Sequence, residues 1–275
     1  MATFRFGLAM SCALLVAPPD RGKVPAAEQP AANSRRPASD ADLRRWLENM
    51  LVDHRFTADE ASAATGLSAD EITAAAKRFG LDQPAPRVRQ PGEPLRVLPY
   101  PGGRHPRLGF LDGAVRPQRE TKFSVFAPWE SGGYAVVDVP EAIWHDGAGG
   151  QPELLYLAHT HVPTLWSKQG IDLERLEWKT GEGNALEIER TLPNGVAFGA
   201  KVMPEPSSMR MELWLTNGSG QPLSGLRVQN CVMLGHLTGF AAQTNDNKVF
   251  RSPYVACRNE AGDRWIITQR EHPLS

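Results

Sequence analysis

Hydrophobic and polar positions follow two different periods along the chain, and the change of period divides it into two parts. Between residues 42 and 80, apolar side chains recur every three or four positions, as they do on one face of an α-helix. From Leu95 onward the period becomes two, in short runs separated by Gly, Pro, Asn and Asp, which is typical of β-strands. The pattern predicts a mainly β protein, in which an antiparallel β-sandwich follows a small tri-helical, helix-turn-helix-like module.

The helical module is predicted over residues 41–82 because its helices have recognisable ends. Sequences typical of a capping box start the second helix at 57–60 and the third helix at 68–71. Gly66 and Gly80 follow these helices, where a left-handed residue commonly ends a helix. The apolar stripe of the first helix comprises Leu43, Trp46, Leu47, Met50 and Leu51.

The β-sandwich is predicted over residues 94–275, after a linker at 83–93. Asn-Gly dipeptides at 194–195 and 217–218 are strong signals for hairpin turns. The last predicted strand lies only a few residues before the end of the chain, which indicates a sandwich truncated at its C-terminus. The predicted strands include 123–126, 134–139, 154–161, 186–192, 196–203, 209–215, 226–234, 254–257 and 265–268.

Residues 1–40 follow neither pattern and are predicted to be a signal peptide followed by a disordered linker. The apolar run at 6–16 is too short to cross a bilayer, so it favours a signal peptide over a transmembrane segment. An unstructured extension or a misassigned start codon would also explain it. Residues 17–40 are rich in Pro, Ala, Ser and Arg, as flexible linkers are. The N-terminus slightly favours an extracytoplasmic over a cytoplasmic location.

Cysteine usage leaves two alternatives open. Cys12 lies within the predicted signal peptide, whereas Cys231 and Cys257 lie on predicted strands. The latter two would pair as a disulfide in an oxidising compartment, or would remain two buried thiols.

The charge distribution disfavours nucleic acid as a partner. The chain of 275 residues has a formal net charge of -1, which gives no general attraction to phosphate backbones or anionic membranes. Asp70 and Glu71 fall in the first turn of the third helix, where a recognition helix would approach DNA, and residues 41–80 carry more acidic than basic side chains. A transcription regulator that uses the sandwich as its sensor is therefore the least favoured of three functional hypotheses.

The most informative chemical feature is a pair of histidines, His159 and His161, in a run predicted to be a strand. Alternate residues of a strand point to the same face, so the two imidazoles are expected about 7 Å apart on one surface. They would hold a divalent metal ion together with a third ligand, for which His236, Asp246 and Glu153 are candidates without a diagnostic spacing. Recognition of a polar ligand and a hydrogen-bonded structural pair are the alternatives.

Arginine and tryptophan side chains are further candidates for a ligand site. Residues 85–122 carry a net charge of +5, and their guanidinium groups could orient an anion or could pair with acids and hold loops in place. Tryptophan rings beside turns could stack on a sugar or cover one end of the sandwich. These candidates are Arg104, Arg107, Arg119, Trp129 and Trp166. Acid–base groups could come from Tyr134, Asp138, Glu141 and His145, although spacing alone does not place two carboxylates across a cleft.

Three phrases carry a resemblance to known proteins: LPYPGGRHPR at 98–107, PQRET at 117–121 and TNDNKVF at 244–250. On these phrases the chain resembles a group of uncharacterised bacterial proteins, over roughly residues 42–268. In that group a short helix-turn-helix-like segment precedes a mutarotase-like or carbohydrate-binding-like β-sandwich. The resemblance implies carbohydrate binding and assigns no catalytic residue.

Together these features favour recognition of a carbohydrate, or of another polar or anionic ligand, by the sandwich. In this hypothesis the candidate histidines line the site, the tryptophans offer stacking surfaces and the arginines orient an anion. A sugar-acting enzyme that uses histidine acid–base or metal chemistry is the alternative. The residues leave open whether a reaction is catalysed, whether a divalent metal is bound and what the oligomeric state is.

Overall fold

A computed structural model describes residues 3–6, 34–83, 87, 89–107, 119–159, 161–242 and 244–270. These residues form antiparallel sheets and a few short helices, so the predicted mainly β fold class is confirmed. Three layers follow one another: the helical module, a sheet that we term sheet B, and a second sheet that we term sheet A.

The helical module folds as its capping signals predict. Its elements are α1 (Asp40–Leu47), a π-helical turn (Glu48–Asp53), α2 (Ala58–Thr65) and α3 (Ala69–Phe79), and a further short helix in the β part is α4 (Leu165–Lys168). Thr57 and Ser68 each accept a hydrogen bond from the backbone N–H three residues later, which forms both predicted capping boxes. Gly66 and Gly80 end α2 and α3 in the left-handed conformation that a residue without Cβ adopts readily.

Two antiparallel sheets form the sandwich, and a small third sheet follows them. Sheet A has the order β1-β9-β8-β7-β6, with β1 (Thr3–Phe6), β6 (Lys179–Thr180), β7 (Leu186–Thr191), β8 (Val196–Pro204) and β9 (Met209–Asn217). Sheet B has the order β10-β4-β3-β2, and β5 also pairs with β4; its strands are β2 (Val97–Pro99), β3 (Lys122–Phe126), β4 (Tyr134–Asp146), β5 (Pro152–Leu157) and β10 (Ser224–Met233). The third sheet contains β11 (Lys248–Arg251), β12 (Tyr254–Arg258) and β13 (Trp265–Gln269).

The central strand β4 is buried on both faces, and this determines the order of the layers. On one face, Val137 and Val139 belong to the hydrophobic core between sheets A and B. On the other face, Tyr134 and Val136 belong to a core shared with the helical module, which includes Leu47. The helical module therefore packs on the outer face of sheet B.

The strand predicted to carry the histidine pair is shorter than expected. β5 ends at Leu157, whereas the prediction extended it over 154–161, so that prediction was wrong at its C-terminal end. The partner strand β4 has irregular pairing nearby, and Ala158 bonds the backbone of Glu141 from outside the regular ladder. His159 and His161 therefore lie in bends after the strand.

The N-terminal segment contains structure where a signal peptide and a linker were predicted. Residues 3–6 form β1, an edge strand that pairs with β9. Arg35, within the predicted disordered linker, is 8% exposed and donates a hydrogen bond to Glu120 at 2.7 Å. The apolar run at 7–16 and the rest of the segment to residue 33 lie outside the described residues, as do 84–86 and 88 of the second linker.

Cys231 on β10 and Cys257 on β12 are both free, so of the two alternatives the structure has the thiols and not the disulfide. Within the part of the chain that the structure describes, every helix is too short or too polar to cross a membrane.

Candidate functional site

A cluster of ionisable side chains lies where β3 and β5 meet along the same edge of β4. β3 pairs with the first part of β4, from the position where Lys122 faces Asp138. β5 pairs with the last part of β4 and ends where Leu157 faces Ala142. Between these positions, residues 139–141 have no register partner in either strand. Side chains from the start of β3 and from the chain just after β5 meet at this gap.

Lys122 and Asp138 form a fully buried ion pair at one side of the gap. Lys122 Nζ lies 2.7 Å from Asp138 Oδ2, and both side chains are 0% exposed. Thr121 donates a hydrogen bond from Oγ1 to the other carboxylate oxygen, Oδ1, at 2.6 Å. Burying an ion costs roughly several kcal/mol of lost hydration. The attraction between the two charges offsets this cost, so each charge depends on the other.

His159 connects this ion pair to a second buried carboxylate, that of Glu141. The distance from His159 Nε2 is 3.2 Å to Glu141 Oε1 and 3.7 Å to Asp138 Oδ2. Glu141 lies where the register between β4 and β10 shifts, and Gln229 of β10 donates from Nε2 to Glu141 Oε2 at 2.5 Å. Irregular pairing of this kind re-aims side chains, and here it directs Glu141 toward the imidazole.

The carboxylates of Asp138 and Glu141 are held in the same way beside His159. Each has one oxygen held by a neutral donor, Thr121 for Asp138 and Gln229 for Glu141. The other oxygen of each carboxylate faces His159 Nε2. The three donor atoms lie within 4.8 Å of one another, so they can interact with the same polar group or the same cation.

The imidazole of His159 is neutral at physiological pH. Burial lowers its pKa, the positive charge of Lys122 acts in the same direction, and the value is about 2 although Asp138 opposes the shift. A proton on Nε2 allows the hydrogen bond to Glu141, and this assignment leaves the lone pair on Nδ1. Nδ1 is buried and has no hydrogen-bond partner among the described residues. Within that part of the chain it is therefore a buried acceptor that receives no hydrogen bond.

His161 is the exposed neighbour of this buried cluster. The centroids of the His159 and His161 rings are 5.6 Å apart, and the ring planes are inclined by 54°. The two imidazoles thus come together as the spacing predicted, although a bend and not a strand brings them there. His161 marks the point at which the cluster reaches the protein surface.

Arg107 and Cys231 lie on the β10 side of the cluster. Cys231 faces Asp138 in the register of β4 and β10, and Arg107 donates a hydrogen bond from Nη2 to Cys231 Sγ at 3.4 Å. Burial, and then the negative charge of Glu141, raises the pKa of the Cys231 thiol to about 12. The thiol is therefore protonated, and Arg107 is the candidate arginine that the fold brings to the cluster.

The two candidate tryptophans lie elsewhere. Trp166 is 3% exposed and donates from Nε1 to the backbone oxygen of Leu155 at 2.7 Å, so its ring is not available to stack on a sugar. Trp129 packs with a small apolar cluster next to the third sheet, and the Arg264 guanidinium lies 5.0 Å from its ring centroid. Trp166 is part of the core between the two sheets, and Trp129 packs beside the third sheet.

The other two candidate arginines hold the helical module and its neighbouring loops. Arg104 donates hydrogen bonds to both carboxylate oxygens of Glu60 of α2, at 2.5 and 2.7 Å. Arg119 is 2% exposed, lies 3.8 Å from the Trp46 ring centroid and donates from Nε to the backbone oxygen of Pro101 at 2.7 Å. These contacts hold loops in place, which is the second role expected for the arginines. Neither guanidinium belongs to the cluster around His159.

The third metal ligands proposed from the sequence do not join the histidine pair. His236 contacts the backbone oxygen of His105 at 3.0 Å, and Glu153 lies 3.3 Å from His145. Asp246 is exposed in a turn before β11. The structure brings the carboxylates of residues 138 and 141 to His159 instead.

Sequence reasoning missed Lys122 and Gln229, and it left Asp138 and Glu141 without a position. The available signal was the presence of two carboxylates within the largely apolar run 134–146, because a charge buried in a strand requires a partner. The partners come from other strands, and no spacing along the chain identifies them.

Comparison with protein-family models, with curated proteins and with solved structures finds no match to this chain. The fold and the cluster therefore define it as a β-sandwich protein with a helical module on one face and a buried site of mixed charge beside it.

Proposed function

We propose that the sandwich binds a small polar ligand of the carbohydrate class at the cluster around His159. The observation that carries this proposal is the convergence of a lysine, two carboxylates and an imidazole in the protein interior, beside the exposed His161. Ligand contacts are assigned to His159, His161 and Arg107, with Glu141 as an acceptor.

The cost of burial supports a functional role for the cluster. Apolar residues of similar volume often stabilise a fold as well as, or better than, a buried ion pair. Here Lys122, Asp138, Glu141 and His159 are all at least nine-tenths buried. Buried ionisable side chains that converge in this way mark a candidate functional site.

The kinds of polar atoms at the cluster suit neighbouring hydroxyl groups. Each hydroxyl both donates and accepts a hydrogen bond, and the cluster offers carboxylate acceptors, an imidazole lone pair and guanidinium donors. A hydrogen bond to a charged group contributes about 1.5–3 kcal/mol. We expect two or three such bonds to hold a polyhydroxyl ligand at the cluster.

The test is a glycan array probed with the full chain, followed by calorimetric titration of the saccharide that binds most strongly. We expect His161→Ala to raise the Kd about tenfold or more, since about 1.4 kcal/mol corresponds to a factor of ten. The control is His145→Ala, which removes a histidine that pairs with Glu153 outside the cluster. Equal effects of the two substitutions, or no saccharide binding at all, would contradict the proposal.

A sugar-acting enzyme is the second candidate, and the contacts of His159 favour it. A general base needs a lone pair toward the substrate and an orienting group on its other nitrogen. His159 has Glu141 at Nε2 and a lone pair at Nδ1 in the assignment above. NMR spectra of a bound saccharide, recorded over hours with the protein and with a His159→Gln variant, separate turnover from simple binding.

A further inference from the structure

We propose that Asp138, Glu141 and His159 form a binding site for one divalent transition-metal ion, with zinc as the preferred ion. The site shares residues with the ligand site of the proposed function but does not require that a saccharide binds there. It differs from the pairing of His159 with His161 that the sequence suggested, because two carboxylates supply the other ligands.

The spacing of the donor atoms fits a single ion. Ligands at about 2.1 Å from a tetrahedral zinc ion lie about 3.4 Å from one another. His159 Nε2 lies 3.2 Å from Glu141 Oε1 and 3.7 Å from Asp138 Oδ2, and the three atoms are all within 4.8 Å. One imidazole nitrogen with two carboxylate oxygens is a donor set that suits zinc or manganese.

The groups behind the ligands favour the same conclusion. Carboxylates that bind metals are usually held by hydrogen bonds on the oxygen that does not face the ion. Thr121 holds Asp138 Oδ1 and Gln229 holds Glu141 Oε2, which leaves the two inner oxygens facing His159 Nε2. Nε2 acts as a ligand in the tautomer that carries the proton on Nδ1, and the ion then replaces the hydrogen bond from Nε2 to Glu141. Among the described residues, the fully buried Asp138 Oδ2 accepts no hydrogen bond apart from its contact with the Lys122 ammonium.

The charge of Lys122 lowers the affinity of the site for a divalent ion but does not prevent binding. Its Nζ contacts Asp138 Oδ2 at 2.7 Å, but a carboxylate oxygen has a second lone pair that an ion can use. The ammonium repels a divalent ion at that oxygen, whereas both carboxylates attract it. We therefore expect binding to be moderate in the natural chain and tighter when the lysine charge is removed.

Isothermal titration with zinc, manganese and calcium salts tests the proposal on the full chain after EDTA treatment and desalting. We expect one zinc ion per chain, and weaker binding of calcium because calcium prefers oxygen ligands. Glu141→Gln and His159→Ala should each weaken zinc binding at least tenfold. His145→Ala should leave zinc binding unchanged. His145 pairs with Glu153 at a similar distance of 3.3 Å, but within the described part of the chain this pair does not belong to a group of three potential metal ligands.

A Lys122→Met variant, measured while it is folded, separates metal binding from a folding defect, because the two predict opposite changes in zinc affinity. Metal binding at the cluster predicts about tenfold tighter zinc binding in this variant, whereas a merely loosened fold would bind zinc more weakly. The proposal is overturned if no zinc binds, if His145→Ala loses as much affinity as His159→Ala, or if folded Lys122→Met binds zinc less tightly. Because the metal salt is the only probe, failure here leaves saccharide binding untouched, and the reverse also holds.

Discussion

Lys122 Nζ and Asp138 Oδ2 lie 2.7 Å apart across neighbouring strands, and neither side chain is exposed. Both residues lie on the outer face of sheet B, where Ser124 and Val136 further along the same strands face the helical module. The site is thus a continuation of the surface on which the helices pack, with polar side chains in place of apolar ones.

Substitution Asp138→Asn should destabilise the fold by about 3–5 kcal/mol, because it leaves the Lys122 charge buried without an opposite charge. The free energy of unfolding in urea is the measurement. The control is Glu187→Gln, which removes one partner of the half-exposed Lys201–Glu187 pair at 2.6 Å and should cost far less, because water screens exposed charges. Similar losses in the two variants would show that the buried ion pair contributes no more to the free energy of unfolding than an exposed pair does.

Stability should fall as the pH is lowered from about 6.5 toward 3, and His54 is one cause. Burial lowers the pKa of His54 from 6.5 to about 3, so between these values the unfolded chain binds a proton that the folded chain does not. Its stabilising effect is complete above pH 6.5 and is lost as the pH falls toward 3. A His54→Phe variant should reduce the slope of unfolding free energy against pH by about 1.4 kcal/mol per unit near pH 4.5. Parallel curves for the two proteins would refute this assignment.

Substitution Arg104→Lys should loosen the helical module without affecting the ligand site. Lysine cannot replace the two bonds from Arg104 to Glu60, and it also loses the guanidinium that lies 4.2 Å from the Phe56 ring centroid. We expect a loss of about 2 kcal/mol and faster amide hydrogen exchange in α2. Unchanged exchange in α2, or a loss of saccharide affinity, would argue for a ligand role of Arg104 after all.

Cys231 should resist alkylation in the folded protein at pH 8, because burial and Glu141 raise its pKa to about 12. Mass spectrometry of unreduced protein after iodoacetamide treatment in denaturant should find both Cys231 and Cys257 alkylated, as expected for free thiols. Recovery of a Cys231–Cys257 cross-linked peptide would contradict the structure at this point.

Local signals in the sequence were sufficient for the helices and the fold class. A capping box or a terminal glycine acts within one helical turn, so Thr57, Ser68, Gly66 and Gly80 identify their helix ends without tertiary information. Packing of the module on sheet B was not predictable in the same way. Burial of β4 on both faces removes the alternation that would have shown which face meets the helices.

The candidate site was predicted only in its local part. His159 and His161 are two residues apart and their rings lie close together, but a bend and not the predicted strand sets their geometry. Lys122, Glu141 and Gln229 reach His159 through the meeting of β3 and β5 on one edge of β4 and through the irregular pairing with β10. Those relationships depend on strand order and register, which composition and periodicity do not encode.

The most direct test of the ligand site is a histidine side-chain NMR titration of protein labelled with ¹⁵N in its imidazole rings. With the saccharide selected on the array, binding at the cluster should shift the signals of His159 and His161 together with one binding curve, while the signal of His145 does not move. Saturation of the protein with that saccharide while the His159 signal stays in place would show that the ligand binds elsewhere.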